Sequence, residues 1–407
     1  MGMKTPLAAA AGLMLLAGCA PAAADPVVDR PVTTSADVPA LVSGINDAGL
    51  RIYLAAREDG ANTAVSPVSI GLAFGMADAG ATGGVEQAIA DFFGLPAQGK
   101  DRLEAFNALD LALVSDDEGK VLTIANRLFT DKGFEPLEDY RMTLAKYFGA
   151  GAEPTSMSTN PGAAASRVNG WISDKTHGLI KDLVKAESFN ERSRVMLANT
   201  VYMKADWDHP FDAEDTSDGT FTLLDNDTAT VPFMHQSTAR GGFTQGDGWT
   251  AGTKAYLDGD SEMLIIVPDA GRFAEVEDDL VAVLADIDAS LMDTQYLLAL
   301  PSFTATSSTN LREVMEGQLG VTGLFDVVGL DGIGQDLYIS SAAHGVKVIV
   351  DEEGTEAGAA TVVGMDAASA PLQPEHELIA DHPFIYVIRD VETGAIAFVG
   401  RVLDPRP

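Results

Sequence analysis

The sequence predicts an α+β fold in which helical signals come first and strand signals last along one continuous domain. Three observations carry this. Ser66 and Pro67 form an N-cap followed by Pro at the first helical position. They open a helix with Ile70, Phe74 and Ala77 on one face and Gly80 as its stop. Val85, Ala88, Ile89, Phe92 and Phe93 then recur at helical spacing until Gly94 ends the segment. Near the C-terminus the pattern changes to strands at 347–350, 384–388 and 396–399. The last two are joined through Glu392, Thr393 and Gly394 as a hairpin.

Ahead of these elements, Lys4 precedes an apolar run from Leu7 to Leu16. That run is too short to span a bilayer and has the shape of an export signal. It ends in Leu16, Ala17, Gly18 and Cys19, which resemble a bacterial lipobox, where the signal is cut before a Cys whose thiol carries lipid. Residues 1–18 then read as a lipoprotein signal peptide, with the membrane as a partner through lipid on Cys19; the alternative is a plain secretory signal that contains a Cys. Ala20 rather than Asp follows the Cys, which by resemblance to lipoproteins points to the outer membrane, periplasmic or surface-exposed. Residues 19–39, rich in Ala, Pro, Asp, Val and Thr without periodicity, read as a flexible linker. From 40 to 407 no second linker and no repeat interrupts the chain.

Of 407 residues, 46% are hydrophobic, enough to build a sizeable core. Lys and Arg number 26 against 60 Asp and Glu, a formal net charge of -34 that repels nucleic-acid phosphates, so no nucleic-acid partner is expected. This acidity serves either solubility or life in salty surroundings. Cys19 is the only cysteine, which excludes an internal disulfide, a thiolate zinc site and a cysteine nucleophile. His376, Glu377 and His382 have the wrong spacing for a zinc protease, and the cluster reads as loop. Gly329, Gly332 and Gly334 do not lead a strand into a helix, and no G-x-S-x-G elbow occurs. No catalytic residue, metal or cofactor is expected.

Four segments resemble the serpin family. Asn62 to Ile70 (NTAVSPVSI) looks like its opening helix motif and Val168 to Val184 (VNGWISDKTHGLIKDLV) like another. Leu197 to Phe211 (LANTVYMKADWDHPF) resembles its central strand and the breach that follows, and Leu378 to Ile388 (LIADHPFIYVI) its C-terminal signature. They stand in the family's order and spacing, covering the chain from about residue 40. The resemblance implies one domain with a large central mixed sheet, further sheets, about nine helices and an exposed reactive loop.

Asp351 to Thr361 (DEEGTEAGAAT) carries the functional reading. Alone, a run of small residues between strands is ordinary linker. Yet no Pro occurs from Gly354 to Ala370, and alternation puts Thr355, Ala357, Ala359, Thr361 and Val363 on one face. Small side chains there can enter a sheet without the overpacking cost of bulky ones, about 1–3 kcal/mol per misfit. By the resemblance, Glu352, Glu353, Gly354, Thr355, Glu356, Ala357, Gly358, Ala359, Ala360 and Thr361 match the hinge, with Gly354 permitting the bend. Ser66, Ser69, Asn199 and His344 match the shutter, and Trp207 matches the breach tryptophan, although a generic core Trp describes it almost as well.

The resemblance further implies an irreversible inhibitor of serine endopeptidases. A protease cuts the loop and forms an acyl-enzyme, the loop inserts into the main sheet, and the enzyme's oxyanion hole is distorted before water deacylates it. Counting sixteen positions on from Glu352 places the cut between Ala368 and Ser369; counting back from Pro383 points instead near Leu372, because the loop is about four residues longer than the common pattern, and Met365 is a further alternative. Ala before the bond suits elastase-like or subtilisin-like targets, and Met365 or Leu372 suits chymotrypsin-like ones; the loop contains no Arg or Lys for a trypsin-like enzyme. Other readings are a serpin-shaped binding or chaperone module that never inserts its loop, a cross-class inhibitor of cysteine proteases, and an unrelated solute-binding lipoprotein. A monomer is expected.

Overall fold

The helix opened by Ser66 is the axis of the molecule. A computed structural model describes Pro26 and residues 28–32, 34–117, 119–355 and 374–406. Pro67–Asp78 is helical and every one of its residues is buried, as a helix hydrophobic on all sides requires. Ser66 caps it, its hydroxyl accepting the Ser69 amide at 3.3 Å. Gly75 is small of necessity, since a Cβ there would meet the Phe106 ring at 2.6 Å.

The chain order runs α1 (Val38–Ala56), β1 (Thr63–Val65), α2 (Pro67–Asp78), α3 (Gly83–Phe93), α4 (Lys100–Leu113), β2 (Ser115–Asp117), β3 (Lys120–Asp131), α5 (Glu138–Phe148), β4 (Gly151–Thr155), α6 (Pro161–Lys175) and β5 (Val195–Asp206). Then come β6 (Ser217–Thr222), β7 (Thr228–Gly246), β8 (Trp249–Ala255), β9 (Ser261–Pro268), α7 (Phe273–Asp278), α8 (Leu280–Ser290), β10 (Met292–Pro301) and β11 (Phe303–Asn310). A π-helical segment at Glu313–Gln318 precedes β12 (Ile339–Val350), β13 (Gly354–Thr355), β14 (His376–Ile379), β15 (Phe384–Asp390) and β16 (Ile396–Val402). With that segment, the eight α-helices make nine helices among the described residues, besides a single 3-10 turn at Ala186–Ser188.

The strands form two sheets. One has nine strands in the order β1-β16-β15-β9-β8-β7-β10-β14, with β6 on β7. The other has seven strands, β11-β12-β13-β5-β3-β2 with β4 beside β3, and mixes parallel with antiparallel pairs. α2 packs between them, touching β5 and β3 on one side and β16 on the other. Gly94 ends α3 in the left-handed conformation at φ 58°, as its place in the sequence requires.

The structure departs from the sequence reading in three places. β12 begins at Ile339, eight residues before Lys347, because backbone pairing to β11 and β5 recruits a Ser- and Ala-rich stretch with little strand propensity. His376 and Glu377 lie in β14, not in a loop: they pair with Tyr296 and Leu297 of β10, and His376 stacks on Phe243 at 4.7 Å. α1 starts inside the stretch read as linker, and Arg30 is anchored upstream of it. Its guanidinium contacts Asp110 at 2.5 Å, Asn107 at 3.0 Å and the Tyr147 carbonyl at 3.2 Å.

Candidate functional site: the parted centre of the mixed sheet

β12 and β5 run parallel, and their contact changes along its length. From Ile339 opposite Val195 to Val346 opposite Val201 they pair directly. Beyond that they separate, and β13 enters antiparallel between them, with Thr355 opposite Val350 on one side and Ala205 on the other. Two polar groups mark the two ends of this seam.

At the closed end, His344 of β12 and Asn199 of β5 are direct register partners, and Asn199 also faces Asn126 of β3. The Ser66 amide can only donate, so His344 Nε2, 2.9 Å away, accepts from it. The ring proton therefore sits on Nδ1 and is donated to Asn199 Oδ1. Asn199 Nδ2 then donates to the Ser69 carbonyl at 2.6 Å and to Asn126 Oδ1 at 2.5 Å, with Ser69 Oγ also in reach. Ser66, Ser69, Asn199 and His344 are all wholly buried. Burial pushes His344 down from 6.5 to about 3, which keeps the ring neutral and the network in one arrangement. The N-terminus of α2 thus stitches β12, β5 and β3 together from the inside.

At the open end, the chain reverses after β12 through a side-chain turn. Asp351 Oδ1 accepts the amides of Glu353 at 3.0 Å and Gly354 at 3.2 Å. Burial raises this carboxyl's pKa above the ordinary range, although the two amide bonds act to lower it. The bend assigned to Gly354 is therefore made by Asp351. Gly354 has no left-handed φ; it is glycine because a Cβ would come within 2.1 Å of the Ala205 carbonyl oxygen. Glu352 accepts from the Thr216 hydroxyl at 2.8 Å.

The turn is held from beyond β5. Trp207 donates its amide to the Glu353 carbonyl at 2.8 Å and its indole N–H to the Asp351 carbonyl at 3.0 Å, while Phe211 donates its amide to the Glu352 carbonyl at 2.9 Å. Trp207 is 1% exposed and stacks on Tyr256 at 4.5 Å and 12°. The Tyr256 hydroxyl in turn bonds the Thr355 hydroxyl at 2.7 Å. Trp207 is thus a core residue that also holds the 351–353 turn.

The structure brings Ser66, Ser69, Asn199 and His344 together, and separately Glu352, Glu353, Gly354, Thr355 and Trp207. Glu356, Ala357, Gly358, Ala359, Ala360 and Thr361, the bond candidates Ala368, Ser369, Met365 and Leu372, and Cys19 lie outside the described residues. Asn126, Tyr256, Phe211 and Asp351 were not singled out from sequence. Only Asp351 carried a local signal, an Asp two and three residues before the amides it binds.

A mixed sheet parted at one end over a buried helix, with a polar lock at the other, defines a class of protein. The chain belongs to the serpin family: residues 43–405 match the family described as Serpin (serine protease inhibitor). An uncharacterised serpin-like protein of Thermococcus kodakarensis is 34% identical over 90% of this chain and 86% of its own. Leukocyte elastase inhibitor A of Mus musculus is 30% identical over 84% of this chain and 93% of its own. Human thyroxine-binding globulin, in complex with thyroxine, has the same fold with a TM-score of 0.82 at 23% identity, over 91% of this chain and 100% of its own. The relatives in sequence thus include an inhibitor, and the fold is shared with a thyroxine-binding protein.

Proposed function

We propose that this serpin is an irreversible suicide-substrate inhibitor of serine endopeptidases, itself catalysing no reaction. One observation carries the reading: Thr355 already occupies a strand position between β12 and β5, bonded in register to both. Continuing that antiparallel register brings residues 357, 359 and 361 level with Val348, Val346 and His344 of β12. On β5 the same positions face Met203, Val201 and Asn199. All six β12 and β5 positions point into the core, which the small residues Ala357, Ala359 and Thr361 fit. Thr361 would then arrive between His344 and Asn199 with a hydroxyl to replace part of the bond it breaks.

In this reading the protease attacks the Ala368 carbonyl, and its serine becomes acylated as the bond to Ser369 breaks. Insertion from Thr355 downward then carries the enzyme along the sheet. Losing a single oxyanion donor costs an enzyme about 100- to 1000-fold in rate, so a distorted site holds the acyl bond. The native fold is a kinetic trap, more strained than the inserted form. Elastase-like, subtilisin-like or chymotrypsin-like enzymes fit the bond best. Export and lipidation at Cys19 would place this monomer in the cell envelope, which radiolabelled palmitate incorporation lost in Cys19→Ser would test.

The test of function is a covalent complex that survives boiling in detergent, with mass spectrometry of the released peptide fixing the bond. Absence of a complex with all three enzyme types would end the inhibitory reading. Thermal stability after loop cleavage separates it from a carrier or chaperone: a large rise is expected here, and none in a protein that does not insert.

A further inference from the structure

The cluster behind the Trp207 clamp contains a buried cation. Lys254, on β8, is 4% exposed, and no carboxylate ion-pairs with it among the described residues. Its ammonium donates to the His209 carbonyl at 2.7 Å and to Gln236 Oε1 on β7 at 2.8 Å. It also lies 4.3 Å from the centroid of the Phe211 ring and 5.3 Å from that of Trp207. Every one of these partners except Gln236 belongs to residues 207–211, the segment whose Trp207 and Phe211 amides hold the Glu353 and Glu352 carbonyls. A buried, unpaired charge is costly, and apolar side chains of the same length would fill this space without that cost.

We propose that Lys254 is a positioning residue for loop insertion: it fixes the 207–211 segment so that the hinge is presented, in register, at the open end of the seam. This rests on the inhibitory reading. With Lys254 in place, the first inserted residue waits between β12 and β5; without it, the clamp loosens, insertion starts late, and water deacylates the protease first.

The titratable groups around Lys254 are Asp208 and His209 on the clamp, Tyr256 just after its own strand, and Asp351, Glu352 and Glu353 on the hinge; Gln236 on β7 is neutral. Burial pushes Lys254 down from 10.5 to about 7, with the charge of Asp208 pulling weakly the other way. Opening that exposes the amine lets it regain a proton. Opening is therefore opposed increasingly as pH rises above 7, by up to about tenfold per pH unit.

Hydrogen exchange on the uncleaved protein tests the clamp. Lys254→Met keeps the unbranched apolar stem and removes the ammonium, and its Trp207 and Phe211 amides should exchange at least about tenfold faster than wild type, while Lys254→Arg stays within about threefold. Between pH 7 and 9, protection in wild type should rise relative to Lys254→Arg at the same pH, and Lys254→Met should show no such rise. Equal protection in wild type and Lys254→Met overturns the proposal. In a second assay with an elastase-like enzyme, Lys254→Met should consume several-fold more inhibitor per enzyme trapped while its loop is cut at the wild-type rate. An unchanged ratio alongside lost protection also overturns it, because the clamp would then not govern insertion. If wild type traps no enzyme, the inhibitory reading fails by itself, and the role in insertion falls with it even where exchange shows the clamp.

Discussion

The two ends of the seam between β12 and β5 are held by opposite means. The closed end is a wholly buried chain of neutral hydrogen bonds running from Ser66 through His344 to Asn199. The open end is held by backbone amides of Trp207 and Phe211 gripping carbonyls of a turn, with aromatic rings behind them. A neutral side-chain network can be broken by one incoming hydroxyl and re-formed around it. A main-chain grip keeps one register and offers a fixed starting point. The sheet is thus separable where the proposed strand would pass and rigid where it would begin.

The largest effect is expected from Thr355→Arg. Thr355 is 2% exposed and bonded to Tyr256, so a guanidinium there is desolvated without a partner. The variant should be cut as a substrate and form no detergent-stable complex, a change of at least about 100-fold in trapping; unchanged trapping would refute the hinge assignment.

Next is Asn199→Leu at the closed end. It leaves the His344 Nδ1 proton and Ser69 without their partner, which should lower native stability by about 2–4 kcal/mol in urea unfolding. An effect under about 0.5 kcal/mol would mean that water replaces the amide.

The same end can be probed with acid. His344 takes up a proton near 6.5 when unfolded but only near 3 when folded, so the unfolded state binds more protons in between. Stability from the neutral ring is complete above about pH 6.5 and declines as pH falls toward 3. His344→Gln should flatten that part of the pH curve, and the open end should show no matching change in the exchange of Trp207.

The smallest effect is expected from Trp207→Phe. It keeps a ring on Tyr256 but loses the N–H bond to Asp351, a cost of about 0.5–1.5 kcal/mol measurable in the same urea experiment.

Much of this was legible in the sequence, for reasons that differ by residue. Ser66 and Gly94 announce themselves because capping is local chemistry. His344, Asn199 and Trp207 were visible only through the family resemblance of the segments around them. Asn126 and Tyr256 were not visible, because each acquires its role from a register partner or ring neighbour far away in sequence. Lys254 was hidden for the opposite reason: in a chain this acidic, a lysine reads as a surface counter-charge, and only its burial shows otherwise. The start of β12 was missed because Ser340 and Ser341 carry no strand signal and are recruited by their neighbours.

The pairing of Thr355 on both sides bears on time as well as on geometry. Forming a first hairpin contact takes about 1–10 μs, and extending it is faster still, whereas typical enzyme turnover takes milliseconds to a second. With that first contact already present in the uncleaved fold, a strand inserting as proposed would have no search to perform. On the proposed mechanism, the outcome of each encounter would be decided by how quickly β12 and β5 come apart at Val346 and Val201, and sequence changes along that stretch should set how many inhibitor molecules are wasted.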